Sequence, residues 1–299
     1  MRRIIIALSL SVFIFPQLAH AGAWTLPKKK TWIEVSTKGS WNKRSFDADR
    51  ELRGNKFDAQ SVGLTLIPKV EYGLTDKVTL MTGMQYKDFE YKEYSRPQEW
   101  GPYRRRSSDI TEMEVGTRVR LLEKPFVASA QIKGMFYSGN GQKDEPGLSD
   151  GNDTLELRAL VGKTFDRFFY FKTPCYVGLE AGYWFNNRRV CNQIPLFAEA
   201  GIWPKSWLLF KGELDGILCQ DGTGKVEKDY MIWRLGPAIE LLEIYELMRN
   251  RKADKEYSVA NSITHQGRSL LLSATYGQTF SGRNTGADNE VTVKISTQF

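Results

Sequence analysis

The chain has 299 residues, of which 41% are hydrophobic and 26% are charged, and its net charge is +7 at pH 7. This composition excludes a disordered chain, because disordered chains are poor in the apolar residues that build a core. A mean hydropathy of −0.42 excludes a bundle of membrane-spanning helices, since only one run is apolar enough to be such a helix. The basic residues are spread along the chain and form no nucleic-acid-binding motif.

That apolar run has the organisation of a secretory signal peptide. Arginines precede the stretch IIIALSLSVFIF, and small residues complete a cleavage site that ends at Ala21. An uncleaved membrane anchor is the alternative, but the stretch is short for a span and Pro16 interrupts it. We predict a signal peptide, residues 1–21, and one exported domain, residues 22–299, that begins at Gly22.

Segments of alternating apolar and polar residues follow the signal peptide, and turn-rich segments separate them. Connections such as GLTDK and PKS are short, whereas others such as SGNGQKDEPGLSDGND are long. Short connections that alternate with long ones are typical of outer-membrane barrels, which have tight turns at one end and long loops at the other. The predicted strands span residues 31–41, 57–72, 77–91, 110–122, 125–137, 154–164, 175–185, 194–203, 207–218, 230–241, 269–280 and 290–299.

The long connection 242–268 departs from this alternation. Its start and the residues before it, IELLEIYELMRNRKADKE, can extend a strand and then form a short helix. A strand pair hidden in this connection would raise the number of strands. Twelve strands is therefore the prediction, and fourteen is the alternative.

The stretch TEMEVGTRVRL, residues 111–121, shows the alternation most clearly. Its even positions carry four charges and its odd positions none, so an extended strand has one charged face and one apolar face. A soluble β-sandwich also produces alternation, but strands of about 9–11 residues fit a tilted bilayer crossing. We predict an all-β fold, a transmembrane antiparallel up-and-down β-barrel. Aromatic residues near the strand ends are predicted to form the membrane-interface girdles: Trp32, Trp41, Tyr72, Tyr86, Tyr91, Tyr137, Tyr176, Trp203, Trp207 and Tyr230.

The charged faces of the strands are predicted to line the lumen. Acidic and basic residues are equally numerous on these faces, so a strongly ion-selective pore is not expected. A structural lattice of ion pairs across the interior competes on even terms with a conducting pore. The predicted lumen-lining residues are Glu112, Glu114, Arg118, Arg120, Gln131, Lys133, Glu156, Arg158, Glu180, Glu199, Lys211, Glu213, Asp215, Arg234 and Lys294.

Further predictions come from the positions of the cysteines and from the last residue. Cys191 and Cys219 fall in loops at one end of the barrel and Cys175 at the other, so the first two are the candidate disulfide. The chain ends in VTVKISTQF, and bacterial outer-membrane barrels typically end in a strand with a terminal aromatic residue, here Phe299. We therefore predict two partners, the outer-membrane lipid and the barrel-assembly machinery that recognises this last strand.

An enzyme is not predicted. The one histidine after the signal peptide, His265, lies in the long connection at the end opposite to the loops, and the sequence has no phosphate-binding loop or metal-ligand motif. No cofactor and no nucleic acid is predicted as a ligand. The segment GAWTLPKKK, which precedes the first strand, is too short for a globular plug domain. A gated, energy-coupled receptor is disfavoured for that reason.

Three segments, GAWTLPK, FDADRE and EYGLTDKVTL, carry a family resemblance over the first third of the chain. Together they resemble a family of outer-membrane barrels that includes proteins labelled as channels of the MetA pathway of phenol degradation and the related XagA-like proteins. The resemblance implies a barrel of about twelve strands and a role in the uptake of small hydrophobic or aromatic molecules. It implies no catalytic residues.

From these patterns we predict a porin-like passive channel or transporter for small solutes in the outer membrane of a Gram-negative bacterium. The first alternative is a non-conducting structural or surface-interaction barrel whose loops carry the function. The second and weaker alternative is an outer-membrane lipid hydrolase.

Overall fold

The computed structural model describes residues 22–95, 103–137, 148, 151–166, 173–187, 191–220, 227–250 and 268–299. One short 3-10 turn, Lys56–Asp58, and one helix, α1 (Leu241–Asn250), accompany the strands in these ranges. The strands are β1 (Thr31–Asn42), β2 (Arg44–Phe46), β3 (Leu52–Gly54), β4 (Gln60–Thr75), β5 (Val78–Glu93), β6 (Tyr103–Leu122), β7 (Val127–Tyr137), β8 (Thr154–Phe165), β9 (Cys175–Asn186), β10 (Gln193–Lys205), β11 (Leu208–Cys219), β12 (Asp229–Glu240), β13 (Ser269–Arg283), β14 (Thr285–Gly286) and β15 (Asn289–Gln298).

Within the described residues, twelve antiparallel strands close into a barrel in the order β1, β15, β13 down to β4, and back to β1. The closing pair is β1 and β15, and the last residue extends it: the Thr31 and Phe299 backbone groups exchange hydrogen bonds of 2.9 and 3.0 Å. Closure leaves no strand edge unpaired, which a sheet in lipid requires. The predicted antiparallel barrel of twelve strands is confirmed.

The alternative of fourteen strands is wrong. Strand β12 pairs directly with β13, from Asp229 opposite Arg283 to Glu240 opposite Leu271, so the barrel wall has no place for a further pair between them. The chain turns into helix α1 at Leu241, directly after β12. Among the described residues, no helix has the length and apolar character needed to cross a membrane.

The two ends of the barrel differ as the connection lengths predict. The start of β1, the last residue Phe299, helix α1 and the tight turns after β4 and β10 lie at one end, which is the periplasmic end in barrels of this kind. At the other end, here called the outer end, β2, β3 and β14 form a separate small sheet of three strands. The lumen therefore runs from the outer end, where the small sheet lies, to the periplasmic end, where the segment that precedes β1 lies.

The apolar face of β6 points outward, as predicted, but a β-bulge changes the pattern at one residue. Met113, Val115 and Leu121 are exposed on the outer surface. Thr111, which the alternation places with them, is buried. The bulge opposite Gln85 inserts Thr111 as an extra residue in β6, and its hydroxyl bonds the side-chain oxygen of Gln85 at 3.1 Å. The prediction that all odd positions face lipid is wrong for Thr111.

Several aromatic residues assigned to the membrane girdles lie inside the barrel instead. Trp32 lines the lumen, and Tyr176 stacks at 5.1 Å on Trp203 within a buried cluster. Trp41 and Tyr72 are exposed on the outer surface. The girdle prediction relied on distance from the strand ends alone, whereas the side of the sheet is set by whether a residue is odd or even in its strand.

Candidate functional site: the barrel lumen

Glu156 is the centre of a hydrogen-bonded group inside the barrel, and its side chain is 0% exposed. Its two carboxylate oxygens accept hydrogen bonds from Gln131 at 2.9 Å, from Arg158 at 2.9 Å and from the Trp184 indole at 2.5 Å. The Lys133 ammonium lies 4.0 Å away. Lys133 faces Glu156 in register on the neighbouring strand, so the period-two alternation brings these charges together.

The ion pairs extend from Glu156 in both directions around the wall. Arg158 also binds Glu180 at 2.7 Å, and Lys133 also binds Glu114 at 2.8 Å. Glu114 in turn lies 3.4 Å from the Lys69 ammonium. Each charge has an opposite charge as neighbour, as groups removed from water require. The first ion-pair network consists of Lys69, Glu114, Lys133, Glu156, Arg158 and Glu180.

A second network covers the other side of the lumen. Glu199 and Glu213 stand directly opposite each other on β10 and β11, an arrangement that is unfavourable for like charges. Lys211 offsets it by lying 3.5 Å from Glu199 and 2.7 Å from Glu213. Arg234 continues the network, with Asp215 at 3.1 Å. The second ion-pair network consists of Glu199, Lys211, Glu213, Asp215, Arg234, Glu290, Lys38 and Lys294.

The remaining predicted lumen residues lie near these networks or below them. Arg118 binds Glu71 at 3.3 Å and Gln131 at 3.3 Å. Arg120 lies nearer the periplasmic end, 3.7 Å from Glu123. Glu112 pairs in register with Gln85 of β5 and Tyr137 of β7. Their role as the lining of a passage stays a prediction.

Three residues of the site were missed in the sequence. Glu290 binds Arg234 and lies 3.6 Å from Lys38, Tyr176 donates its hydroxyl to Glu199 at 2.5 Å, and Trp184 binds Glu156. Each has the same parity in its strand as residues that were assigned to the lumen. Parity could therefore have found all three, had it been applied to the strand ends and to aromatic side chains.

The segment before the first strand, Gly22–Lys30, lies inside the barrel and crosses the lumen at its periplasmic end. We call it the luminal segment. Its later residues lie beside β4 and β5. There the Leu26 amide donates to the Thr79 hydroxyl at 2.8 Å, and the Thr25 hydroxyl donates to the Asp76 carbonyl at 2.9 Å. From its length we predicted that this stretch is too short for a globular plug. That prediction does not exclude a short segment that crosses the lumen.

From Leu26 back toward Gly22, the luminal segment passes β6 and β7 and reaches β8 and β9. The Trp24 carbonyl accepts a hydrogen bond of 3.1 Å from Arg118, and the Ala23 carbonyl accepts one from the Ser129 hydroxyl. Gly22, the first described residue, lies against Glu180 of β9. The segment is thus attached by hydrogen bonds along its length to both sides of the barrel.

Trp24 seals the periplasmic end of the lumen between two apolar clusters. On one side it packs against Ala23, Val127 and Leu160, and on the other against a cluster that includes Tyr176. The Trp24 ring therefore places apolar surface across the periplasmic end of the lumen.

Glycines make room for the luminal segment. A Cβ atom at Gly162 would lie 2.3 Å from the Trp24 ring, and one at Gly73 would lie 2.0 Å from the Pro27 carbonyl oxygen. Both distances are far below van der Waals contact, so a side chain at either position would displace the segment.

Two cavities occupy the lumen above the seal. A central cavity of about 430 Å³ lies between the two ion-pair networks and is bounded at one point by Gly22. An outer cavity of about 780 Å³ lies beneath the small sheet and is lined by mixed polar, charged and aromatic residues such as Asp88 and Phe89. Lys38 of β1 lines both cavities.

Lysines are prominent among the charges that water reaches in the lumen. The side chains of Lys38, Lys69 and Lys294 are 32%, 38% and 27% exposed, whereas the carboxylates they pair with are 4–11% exposed. Asp215, at 29%, is the exposed acid of the second network, and Glu71, at 18%, also lines the central cavity.

Cys191 and Cys219 form a disulfide with a Cα–Cα distance of 5.8 Å, and Cys175 is buried as a free thiol. The bond joins the start of β10 to the end of β11 at the outer end of the barrel. In the described ranges, no group of three or more His, Cys, Asp or Glu side chains is arranged to hold a metal ion. His265 lies outside the described residues.

We expect Cys191→Ser to lower the free energy of unfolding by about 2–4 kcal/mol, because the bond closes a 28-residue separation and restricts the unfolded chain. Urea unfolding of the protein in detergent, followed by tryptophan fluorescence, measures the change. Cys219→Ser and the double variant should show the same loss, since all three lack the same bond. A double variant that loses twice as much would contradict the prediction.

Comparison with known proteins adds evidence on the fold. No protein-family model matches the sequence, and no curated protein matches it. Among solved structures, an outer membrane channel from Pseudomonas putida F1 is 12% identical, with 95% of this chain and 100% of that chain covered and a TM-score of 0.63. The translocator domain of the autotransporter NalP from Neisseria meningitidis is 9% identical, with coverage of 99% and 93% and a TM-score of 0.45. A FadL homologue from Pseudomonas aeruginosa is 8% identical, with coverage of 93% and 92% and a TM-score of 0.37. The likeness to the Pseudomonas putida channel shows that this chain has the fold of an outer-membrane β-barrel.

Proposed function

We propose that the protein is a passive channel for small solutes in the outer membrane of a Gram-negative bacterium, and that the luminal segment closes it at the periplasmic end. The observation that carries the proposal is the pair of lumen cavities, both lined in part by charged residues, together with the Trp24 ring that packs between two apolar clusters at the periplasmic end. A polar interior of this size is costly to build unless water or solute occupies it. The lumen-lining residues and the luminal segment are then a pathway and its gate.

Single-channel recording in planar bilayers tests this proposal. The wild-type protein is expected to show small or infrequent conductance steps, because the seal is intact in the structure described above. Displacement of the luminal segment is expected to produce larger steps, as argued below. Folded protein that shows no steps either with or without the segment would contradict a channel.

The solutes that we infer are small polar molecules, with a preference for anions. Water-accessible lysines line the route, and a positive potential in a narrow lumen concentrates anions. The resemblance to the MetA and XagA-like family points to hydrophobic or aromatic solutes. A small aromatic carboxylate satisfies both conditions, since its ring can meet Phe89 and its carboxylate can meet Lys38 in the outer cavity. We propose membership of that family on its three sequence segments.

We expect Lys38→Met to reduce the preference for chloride over potassium, because Lys38 lines both cavities and its side chain is 32% exposed. The reversal potential across a bilayer with a KCl gradient measures this preference. Lys163→Met is the matched control, since Lys163 is exposed beside the Phe165 ring on the outer face of β8. Equal shifts in the two variants would mean that the selectivity does not arise in the lumen.

A non-conducting structural barrel is the second candidate function. The two ion-pair networks favour it, because they join neighbouring strands of the wall as a lattice would. The recordings above separate this candidate from a channel. Nothing in the described residues favours a lipid hydrolase.

The export and assembly steps are part of the same proposal. Residues 1–21 act as the cleaved signal peptide, and the last strand presents Phe299 to the barrel-assembly machinery. The support for the second step is that Phe299 is exposed and that its backbone completes the pairing of β15 with β1.

A further inference from the structure

Gly22 lies in direct contact with a carboxylate inside the barrel. A Cβ atom built on Gly22 would come to 2.2 Å from the Glu180 Oε1 atom and to 2.9 Å from a methyl group of Leu160. The backbone nitrogen of a residue lies about 1.5 Å from its Cα, so the Gly22 nitrogen is within about 5 Å of this oxygen. A rotation of the Glu180 side chain brings the two into hydrogen-bond contact.

The position of Gly22 is set by the residues that follow it. The Ala23 and Trp24 carbonyls are held by Ser129 and Arg118, and Trp24 is packed between two clusters. Two consecutive residues whose backbone is held in this way leave the nitrogen of Gly22 little freedom. It must lie in the lumen, at the boundary of the central cavity.

Glu180 presents one carboxylate oxygen to Gly22. Its Oε2 atom binds Arg158 at 2.7 Å, while Oε1 faces Gly22. Arg158 is also bound to Glu156 at 2.9 Å, so one guanidinium serves two carboxylates. A second positive charge next to Oε1 would complete the compensation that buried charges need.

We propose that Glu180 is the binding site for the chain's own α-ammonium group, which is created at Gly22 when the signal peptide is removed after Ala21. The ion pair between this group and Glu180 then holds the end of the luminal segment in place. Before cleavage the Gly22 nitrogen is an amide without charge, so the ion pair exists only in the processed protein. The inference rests on the proposed cleavage after Ala21, which supplies the charge that fixes the end of the luminal segment of the proposed channel.

The experiment is amine labelling of the full mature protein in detergent. Intact mass gives the first residue, and a limiting dose of an acetylating reagent, followed by peptide mass mapping, gives the labelling rate of the α-amine. In Glu180→Gln we expect this rate to rise about tenfold over wild type, which corresponds to about 1.4 kcal/mol. The ammonium groups of Lys28, Lys29 and Lys30 on the same segment should keep their rates and so exclude general loosening.

Glu290→Gln is the matched control. It also removes one carboxylate from a lumen ion pair, but the atoms nearest to Gly22 belong to Glu180 and Leu160 and not to Glu290. Its α-amine rate should equal that of wild type. If Glu180→Gln does not fold, the wild-type rate is compared with that of wild-type protein unfolded in urea, and tenfold protection is again expected. An unchanged rate in Glu180→Gln, no protection in folded wild type, or a first residue other than Gly22 would overturn the proposal. The labelling experiment does not depend on conductance. A barrel that protects its α-amine but never conducts would therefore contradict the proposed channel and leave the proposed ion pair standing.

Discussion

Deletion of residues 22–26 is expected to raise the single-channel conductance severalfold and to make the open state persistent. In the intact protein the Trp24 ring lies between two apolar clusters and closes the periplasmic end, below a central cavity that is otherwise polar. Without the segment, the central cavity joins the periplasm through a gap as wide as a peptide chain. Purified protein in planar bilayers, at a fixed KCl concentration and voltage, gives the step size and the fraction of time spent open.

A substitution that displaces the segment without shortening the chain provides an independent check. Gly162→Val places methyl groups where the Trp24 ring now lies, since even a Cβ atom would come within 2.3 Å of it. The same change at Gly39, where a Cβ atom meets nothing within 4 Å, is the control and should leave the conductance unchanged. If the deletion and Gly162→Val both yield folded barrels with wild-type steps, the segment is not the gate.

The architecture was readable from the sequence because a barrel strand repeats every two residues over its whole length. Once Glu112, Glu114, Arg118 and Arg120 share one face, the lipid side and the lumen side of that strand follow. This alternation, the connection lengths and the requirement that strand edges pair are sufficient to predict the barrel. The requirement that edges pair also explains the contact between β1 and β15.

The luminal segment could not be predicted in the same way. Its contacts depend on residues that are distant in sequence, such as Gly73 and Gly162, which look like ordinary strand glycines until the ring and carbonyl that approach them are known. No periodicity marks the stretch from Gly22 to Lys30, so only its length could be assessed. Length excludes a globular plug but does not exclude a strap that takes its stability from the walls.

The exceptions within strands have a similar cause. The bulge at Thr111 depends on its pairing with Gln85, which is a property of two strands and not of one. Tyr176 was assigned to the membrane surface from its position at a strand end, although its hydroxyl needs a partner and finds one in Glu199. The Thr111 error comes from treating one strand alone, whereas the Tyr176 error comes from using its distance from the strand end and not its parity.

Glu156→Leu is expected to destabilise the barrel by about 3–5 kcal/mol, the cost of removing one member of a buried ion pair. Glu156 is fully buried, and the change would leave Arg158 with one carboxylate, Lys133 with only Glu114, and the Trp184 indole without its acceptor. A leucine of similar volume fills the space, so the loss is electrostatic and not a cavity effect. Urea unfolding followed by tryptophan fluorescence, with the mobility of unheated samples on SDS gels as a second measure, gives the magnitude.

Glu114→Ala is the graded comparison, because it removes a carboxylate from the same network at a more solvated place. Its partner Lys69 is 38% exposed and can be hydrated when the carboxylate is lost, so a smaller cost of about 1 kcal/mol is expected. Glu156→Gln should lie near Glu114→Ala, since the amide oxygen still accepts a hydrogen bond from Arg158. Equal losses for Glu156→Leu and Glu114→Ala would mean that burial does not determine the strength of the network. In that case the charges inside the barrel would behave as solvated lining and the ion pairs would contribute little to its stability.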